Sequence, residues 1–238
     1  MLQETIRDKN FVWDKSTASN LVNFIVKISN NAINELKDNR NFLNNSEHSF
    51  PILQKEISDF KKKILVEGIG VFVIDGKCFT GFSKEESIEI YKKICKILGT
   101  LYIQNNKNEK FVKIHDVGKS MQTGGRYHQT KEGGSFHTDS PQWKKVPDFI
   151  GMCCVNPAKK GGQSKFVNVY NIHNEMLKEH KHFLEMLYQQ YHFDKRGEYE
   201  PGESPTVLEP IFTYCDNQLK CRYLRNYIND GHKIQNMP

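Results

Sequence analysis

The chain has 238 residues and a formal net charge of +6, and a chain of this length can bury a full core in one or at most two domains. It contains no apolar run near the ~20 residues that span a bilayer. Its lysines lie beside apolar segments and form no stripe with aromatic platforms, which argues against a nucleic-acid partner. Six cysteines without a C-x-x-C pair, and an N-terminus without an apolar signal stretch, favour a reducing cytoplasm with no membrane partner.

The first third of the chain is predicted to be helical. Apolar stripes, capping residues and glycine breaks predict, in chain order, a helix capped at Ser16 or Thr17 that runs to Leu36, a helix over 52–65, a buried strand over 71–74, and a helix from the Ser83–Glu86 capping box to Gly99. Residues 1–66 are therefore interpreted as an N-terminal helical segment packed on a core domain.

From about residue 100 onward, short β-strands dominate the pattern. Apolar runs separated by turn signals predict strands over 101–103, 111–115, 126–129, 149–155, 165–169, 211–214 and 219–224. One long helix, over roughly 172–191, interrupts the series. Such a run of strands beside helices is typical of a β sandwich or barrel flanked by helices.

The tripeptide His137-Thr138-Asp139 follows a glycine pair in a non-helical segment. In extended backbone, residues two apart point to the same side, so the imidazole and the carboxylate can converge on one metal ion. A site of two His and one carboxylate leaves coordination positions open, as an iron centre that handles oxygen and a chelating co-substrate needs. The alternative is a cap or turn in which Asp139 or Ser140 bonds backbone N–H groups before Pro141.

Two other His-x-acid pairs occur in the chain. With 9 His and 28 Asp and Glu, chance alone predicts roughly one such pair, so context has to separate them. His173 and Glu175 fall on the predicted long helix, where two residues span ~200° around the axis, so their side chains diverge. His192 and Asp194 fall where that helix runs out and are interpreted as a solvated helix end.

The stretch from Gly133 to Val169 resembles the TauD/TfdA family of Fe(II)- and 2-oxoglutarate-dependent dioxygenases, with their clavaminate-synthase-like relatives. The resemblance rests on the order of the motifs: a glycine-flanked strand at 67–71, then His137-Thr138-Asp139, a strand start at 147–150, the Gly161-Gly162 turn with Ser164 after it, and Phe166-Val167-Asn168 leading into a helix.

The resemblance implies an α+β fold in which residues 67–238 form a double-stranded β-helix (jelly roll), incomplete at the C-terminus. His137 and Asp139 would bind Fe(II), and Ser164 would contact the carboxylate of 2-oxoglutarate, the co-substrate used with O2. The implied activity is hydroxylation or desaturation of a small polar molecule, such as an amino acid or amine derivative. A carboxylate at position 139 argues against halogenation.

One part of the family pattern is not found. The family's second His ligand, and the Arg that pairs with 2-oxoglutarate, lie well over a hundred residues after the first ligand, whereas this chain ends at Pro238. The chain is therefore expected to be truncated before both residues, and His232 is a weaker substitute ligand. The alternative hypothesis is a truncated or degenerate family member that serves as a binding or scaffold protein without turnover.

Two arginines near the C-terminus are the candidate substrate-binding residues. Arg222 and Arg225 lie on or just past a strand that is expected to line the barrel. A guanidinium there could grip a substrate carboxylate through two hydrogen bonds. The alternative for both is an exposed arginine at a strand edge.

Overall fold

The computed structural model describes residues 1–8, 10–16, 24–105, 107–120 and 127–236, in an α+β arrangement. The chain divides into two compact units. The N-terminal unit comprises residues 8–111 and 151–161, and the C-terminal unit comprises residues 1–7, 112–150 and 162–238. The predicted boundary between residues 66 and 67 is drawn from the sequence pattern, whereas these two units are defined by contacts. The boundary stays a prediction.

The N-terminal unit contains, among its described residues, helices α1 (Asn30–Asp38), α2 (Pro51–Phe60) and α3 (Lys84–Leu98) and strands β1 (Ile25–Val26) and β2 (Val73–Ile74). Shorter helical turns lie at Arg40–Phe42, Lys61–Val66 and Gly76–Phe79. The two strands pair in parallel. Each helix turns an apolar face into one shared core, which includes Leu36, Leu53, Ile57, Ile90 and Ile94.

Local capping decides where two of these helices begin. The Ser29 side chain accepts a hydrogen bond from the Ala32 amide at the start of α1, which satisfies one of the free N–H groups of a helix N-terminus. Ser83 and Glu86 form the predicted capping box at the start of α3. The helices predicted over 52–65 and 84–98 are confirmed, the first as α2 and the helical turn that continues it.

The first predicted helix is wrong in part. Residues 25 and 26 form β1 instead of helix, because their backbones pair with residues 73 and 74. Helix α1 then starts afresh at Asn30. Residues 17–23, which include the predicted cap Thr17, lie outside the described part of the chain.

The C-terminal unit contains, among its described residues, α4 (Val169–Glu179), α5 (Lys181–Leu187), α6 (Arg225–Ile234), β3 (Gln190–Asp194), β4 (Thr206–Pro210), β5 (Phe212–Cys215), β6 (Gln218–Cys221) and a helical turn at Tyr127–Gln129. Strands β3 and β4 form one antiparallel pair, and β5 and β6 form another. Their core includes Leu184, Phe193, Phe212, Leu219 and Ile228. None of the helices in the described residues has the length and apolarity that crossing a membrane requires.

The predicted long helix over 172–191 is two helices followed by a strand. The break lies at His180, whose φ of −140° and ψ of 42° are outside the helical range. The interpretation of His192 and Asp194 as a solvated helix end is wrong, because both residues lie on β3, where Asp194 is buried. An apolar stripe cannot show where a helix ends and a strand begins, because that depends on whether a partner strand is available.

The predicted strands have mixed outcomes. Those over 211–214 and 219–224 correspond to the β5–β6 hairpin, whose turn residues Asp216 and Asn217 have φ values of 52° and 59°, as a tight hairpin turn requires. The segments 101–103, 149–155 and 165–168 have no regular secondary structure, residues 127–129 form a helical turn, and residue 126 lies outside the described part. In 111–115, one backbone hydrogen bond joins His115 to His128. Because no sheet among the described residues exceeds two strands, the jelly roll stays an expectation.

Helix α6 approaches β3 closely at Gly231. A Cβ at this position would lie 2.2 Å from the carbonyl oxygen of His192 and 2.9 Å from the backbone nitrogen of Asp194. Backbone atoms cannot move aside as the end of a flexible side chain can. Gly231 therefore sets how deeply the last helix packs onto the strand.

We expect Gly231→Ala to destabilise the protein by about 2–3 kcal/mol through overpacking, although alanine is the better helix former. Urea unfolding measures the change. Gly133→Ala is the matched control, since its Cβ would meet nothing within 4 Å. Equal stability of the two variants would contradict the close packing of α6 on β3.

His173 on α4 is a buried histidine that belongs to the core. Its side chain is fully enclosed, its Nε2 lies 2.9 Å from the Tyr188 hydroxyl, and its ring meets the Phe212 ring edge-on. Burial, with a smaller contribution from the N-terminal ammonium, lowers the pKa of His173 below its ordinary value of about 6.5. The neutral imidazole is therefore the form that the fold accommodates.

A lowered pKa makes stability depend on pH in one direction. Because the unfolded chain binds the proton more readily, the contribution of His173 is complete above about pH 6.5 and is lost as the pH falls through the folded-state value. We expect His173→Gln, which cannot be protonated, to show a smaller loss of stability between pH 7.5 and pH 5 than the parent. Unfolding midpoints across that range measure it, and parallel curves would contradict the assignment.

Candidate metal centre

The segment that carries the His-x-Asp motif is tied to the residues after β6. The Thr138 amide donates to the Tyr223 carbonyl at 2.7 Å, and the Tyr223 amide donates to the Thr138 hydroxyl at 2.9 Å. These bonds fix the residue between His137 and Asp139. The two flanking side chains lie on the same side, with His137 Nε2 3.7 Å from Asp139 Oδ1.

The tautomer of His137 follows from its backbone contact. Its Nδ1 lies 2.6 Å from the Ser135 carbonyl oxygen, and a carbonyl can only accept a hydrogen bond. Nδ1 therefore carries a proton in this contact, and in the neutral ring Nε2 is the nitrogen with a free lone pair. A ring nitrogen in this form binds metal ions, and a carbonyl partner for the other nitrogen is the usual way to orient such a ligand.

The spacing of the two donor atoms suits a single metal ion. Bonds of about 2.0–2.2 Å, as zinc forms to nitrogen and oxygen, let one ion reach two donors that are up to about 4 Å apart. The pair of His137 and Asp139 at 3.7 Å meets that condition. Within the described residues, no group of three or more His, Cys, Asp or Glu side chains could hold a metal ion, so a third protein ligand is not identified.

A strained turn follows the pair directly. Ser140 has a φ of 51°, in the left-handed region that residues other than glycine rarely adopt. The Trp143 amide donates to the Ser140 carbonyl at 3.1 Å and closes the turn, and Pro141 inside it is fully buried. A residue held in this region costs about 1–3 kcal/mol and persists only where its surroundings fix it.

The Arg222 guanidinium is one of the groups that fix this turn. Its Nη1 donates to the Pro141 carbonyl at 2.8 Å and to the Trp143 carbonyl at 2.7 Å. Its Nη2 lies 3.8 Å from the Glu209 carboxylate. Hydrogen bonds from a charged group contribute about 1.5–3 kcal/mol each, so the two together can offset the strain at Ser140.

Glu198 holds the same turn from another side. Its Oε2 accepts hydrogen bonds from Trp143 Nε1 at 3.2 Å and from Gln142 Nε2 at 3.4 Å. Gln142 is buried, and its Oε1 has no hydrogen-bond partner. The Trp143 indole is thus held at the turn.

The remaining predicted site residues lie in three other places. Ser164 is exposed in the irregular segment before α4. Arg225 is exposed at the first position of α6. His232 lies on α6 with its ring stacked on Tyr191 and its Nε2 buried. The roles assigned to Ser164, Arg222 and Arg225 stay predictions.

Comparison with known proteins identifies the family of the chain. Residues 45–237 match the family model described as taurine catabolism dioxygenase TauD, TfdA family. The chain belongs to the TauD/TfdA family. It is also 34% identical over 170 residues to a Streptomyces rubellomurinus protein named FR-33289 synthase, an alignment that covers 70% of this chain and 48% of the relative. The chain thus spans about half the length of this TauD/TfdA relative.

Sequence reasoning missed the residues that hold the segment of His137 and Asp139 in place. Thr138 and Tyr223 were not singled out, and Arg222 was assigned to the substrate. A polar Thr between two candidate ligands was a usable signal, because its hydroxyl and its amide can both bind a neighbouring strand. The partner residue, Tyr223, could not be found in the same way, since nothing local specifies a contact across 85 positions.

The left-handed backbone at Ser140 gives a test of the turn. We expect Ser140→Val to cost about 1–2 kcal/mol, because a β-branched side chain fits a positive φ poorly. Ser140→Asn should stay within about 0.5 kcal/mol of the parent, since asparagine tolerates this conformation. Chemical denaturation compares the two, and equal stability would contradict the backbone described at this position.

Proposed function

We propose that the protein is an Fe(II)- and 2-oxoglutarate-dependent dioxygenase that hydroxylates or desaturates a small polar molecule, such as an amino acid or amine derivative. The observation that carries the proposal is the pair of His137 Nε2 and Asp139 Oδ1, 3.7 Å apart on one side of the chain. Membership of a family of dioxygenases supports the reaction class. The jelly-roll core and the cytoplasmic setting belong to the same proposal.

Two side chains would hold the iron. His137 would bind through Nε2, with its ring oriented by the Ser135 carbonyl, and Asp139 would bind through its carboxylate and offset part of the metal charge. When bound with 2-oxoglutarate and O2, the iron supplies oxidative decarboxylation to succinate and CO2, coupled to oxidation of a substrate C–H bond. The Ser164 hydroxyl is proposed to donate to the co-substrate carboxylate.

Arg225 is the residue proposed to bind the substrate. Arg225 at the start of α6 is exposed, and its guanidinium is proposed to bind a substrate carboxylate. Arg222 was predicted for the same task, but its Nη1 donates to two backbone carbonyls in this structure. The similar Streptomyces protein is named a synthase, which is in keeping with a substrate that belongs to the synthesis of a small molecule.

The second candidate function is a family member without turnover. It is favoured by one observation, the absence of a third ligand group beside His137 and Asp139 in the described residues. Such a protein would keep the scaffold and could bind 2-oxoglutarate or metal weakly. Metal binding and product formation have to be measured separately to distinguish the two functions.

Succinate release in the presence of Fe(II), 2-oxoglutarate and ascorbate tests turnover, and calorimetric titration with Fe(II) in the absence of O2 tests binding. We expect His137→Ala and Asp139→Ala each to weaken Fe(II) binding at least tenfold and to abolish succinate release. The matched control is His182→Ala, an exposed histidine on α5, which should change neither. Fe(II) binding without succinate would favour the second function, and binding unaffected by both substitutions would refute the site.

A further inference from the structure

Arg222 connects the β5–β6 hairpin to the turn that follows Asp139. Its backbone amide donates to the Ile211 carbonyl at 2.8 Å and continues the β5–β6 pairing by one residue. Its side chain, 14% exposed, points away from solvent and donates through Nη1 to Pro141 and Trp143. One side chain therefore spans the turn from its second residue to its fourth.

Consecutive residues anchor the chain on both sides of Asp139. Tyr223 binds Thr138, the residue before it, and Arg222 binds the carbonyls of residues 141 and 143 after it. The Asp139 side chain itself is 52% exposed, so packing does little to place it. These two anchors therefore fix the backbone on either side of the carboxylate.

The fork shape of the guanidinium suits this task. Both carbonyl oxygens are reached from the same nitrogen, at 2.8 Å and 2.7 Å, while Nη2 faces Glu209 on β4. A lysine ammonium carries its donors on one compact point and cannot reproduce this arrangement in full. The strained Ser140 is the first residue of the turn that the guanidinium holds.

We propose that Arg222 is a positioning residue for the metal pair, setting the turn after Asp139 so that its carboxylate faces the His137 imidazole. This inference rests on the proposed metal site. It replaces the predicted grip on a substrate carboxylate, because both N–H groups of Nη1 are directed at backbone oxygens. The role is independent of substrate and acts before any substrate arrives.

Co(II) titration of the protein without substrate or co-substrate, followed by the visible absorption of the bound ion, tests the proposal. We expect Arg222→Gln to weaken Co(II) binding about tenfold, as removal of an orienting partner does, and to change the absorption spectrum. Arg222→Lys should recover part of the affinity. Circular dichroism and an unfolding midpoint establish whether each variant is folded. If Arg222→Gln does not fold, the Co(II) affinity of Arg222→Lys decides the test.

Arg40→Gln is the matched control, because Arg40 also donates to a loop carbonyl, that of Gly81, and pairs with a glutamate, Glu86. It belongs to the N-terminal unit and should leave Co(II) binding unchanged. Unchanged Co(II) affinity in folded Arg222 variants, with a raised KM for substrate alone, would overturn the positioning role and restore the substrate role. Co(II) binding that survives His137→Ala and Asp139→Ala would instead refute the metal site itself.

Discussion

The hydrogen bonds between Thr138 and Tyr223, two residues 85 positions apart, are the constraint on which the candidate metal centre depends. They hold a single residue by both its backbone and its side chain, so the chain on either side of it cannot rotate freely. Because neighbours two apart in extended backbone share a side, fixing Thr138 brings His137 and Asp139 together without a direct contact to either. A hydrogen bond of this kind contributes about 1 kcal/mol net, yet here it sets a geometry that the exposed Asp139 side chain could not keep alone.

The sequence predicted well the features that depend on contacts between residues close together in the chain. The capping box at Ser83 and Glu86 needs contacts only three residues apart, and the same-side placement of His137 and Asp139 needs contacts two apart. What it predicted poorly depends on partners that are distant in the chain. An apolar pair such as Ile25 and Val26 fits a helical stripe as well as a strand, and its pairing with residues 73 and 74 decides between them. The same holds for His192, which lies on a strand because β4 pairs with β3 and places Leu208 opposite it.

The predictions for the candidate site differ in the same way. The candidate ligand pair was predicted from local spacing, whereas the carbonyl contacts of Arg222 could not be predicted. A guanidinium at the end of a strand has the same sequence signature whether it faces a substrate carboxylate or two backbone carbonyls. The structure favours the carbonyls, with distances of 2.7 and 2.8 Å. Burial explains the choice as well. A guanidinium that is mostly removed from water needs acceptors at all times, and carbonyls of its own chain are present whether or not a ligand is bound.

The number of protein donors determines how much this anchoring matters. A site with three protein ligands keeps much of its shape when one support is lost, because the remaining two still define the ion's position. In the described residues, His137 and Asp139 are the two donors that the geometry brings together. The distance between these donors therefore determines the geometry of the candidate site. Any loosening of the turn at residues 140–143 changes that distance directly. A candidate centre that relies on this distance should therefore respond strongly to residues that never touch the ion, such as the consecutive anchors at positions 222 and 223.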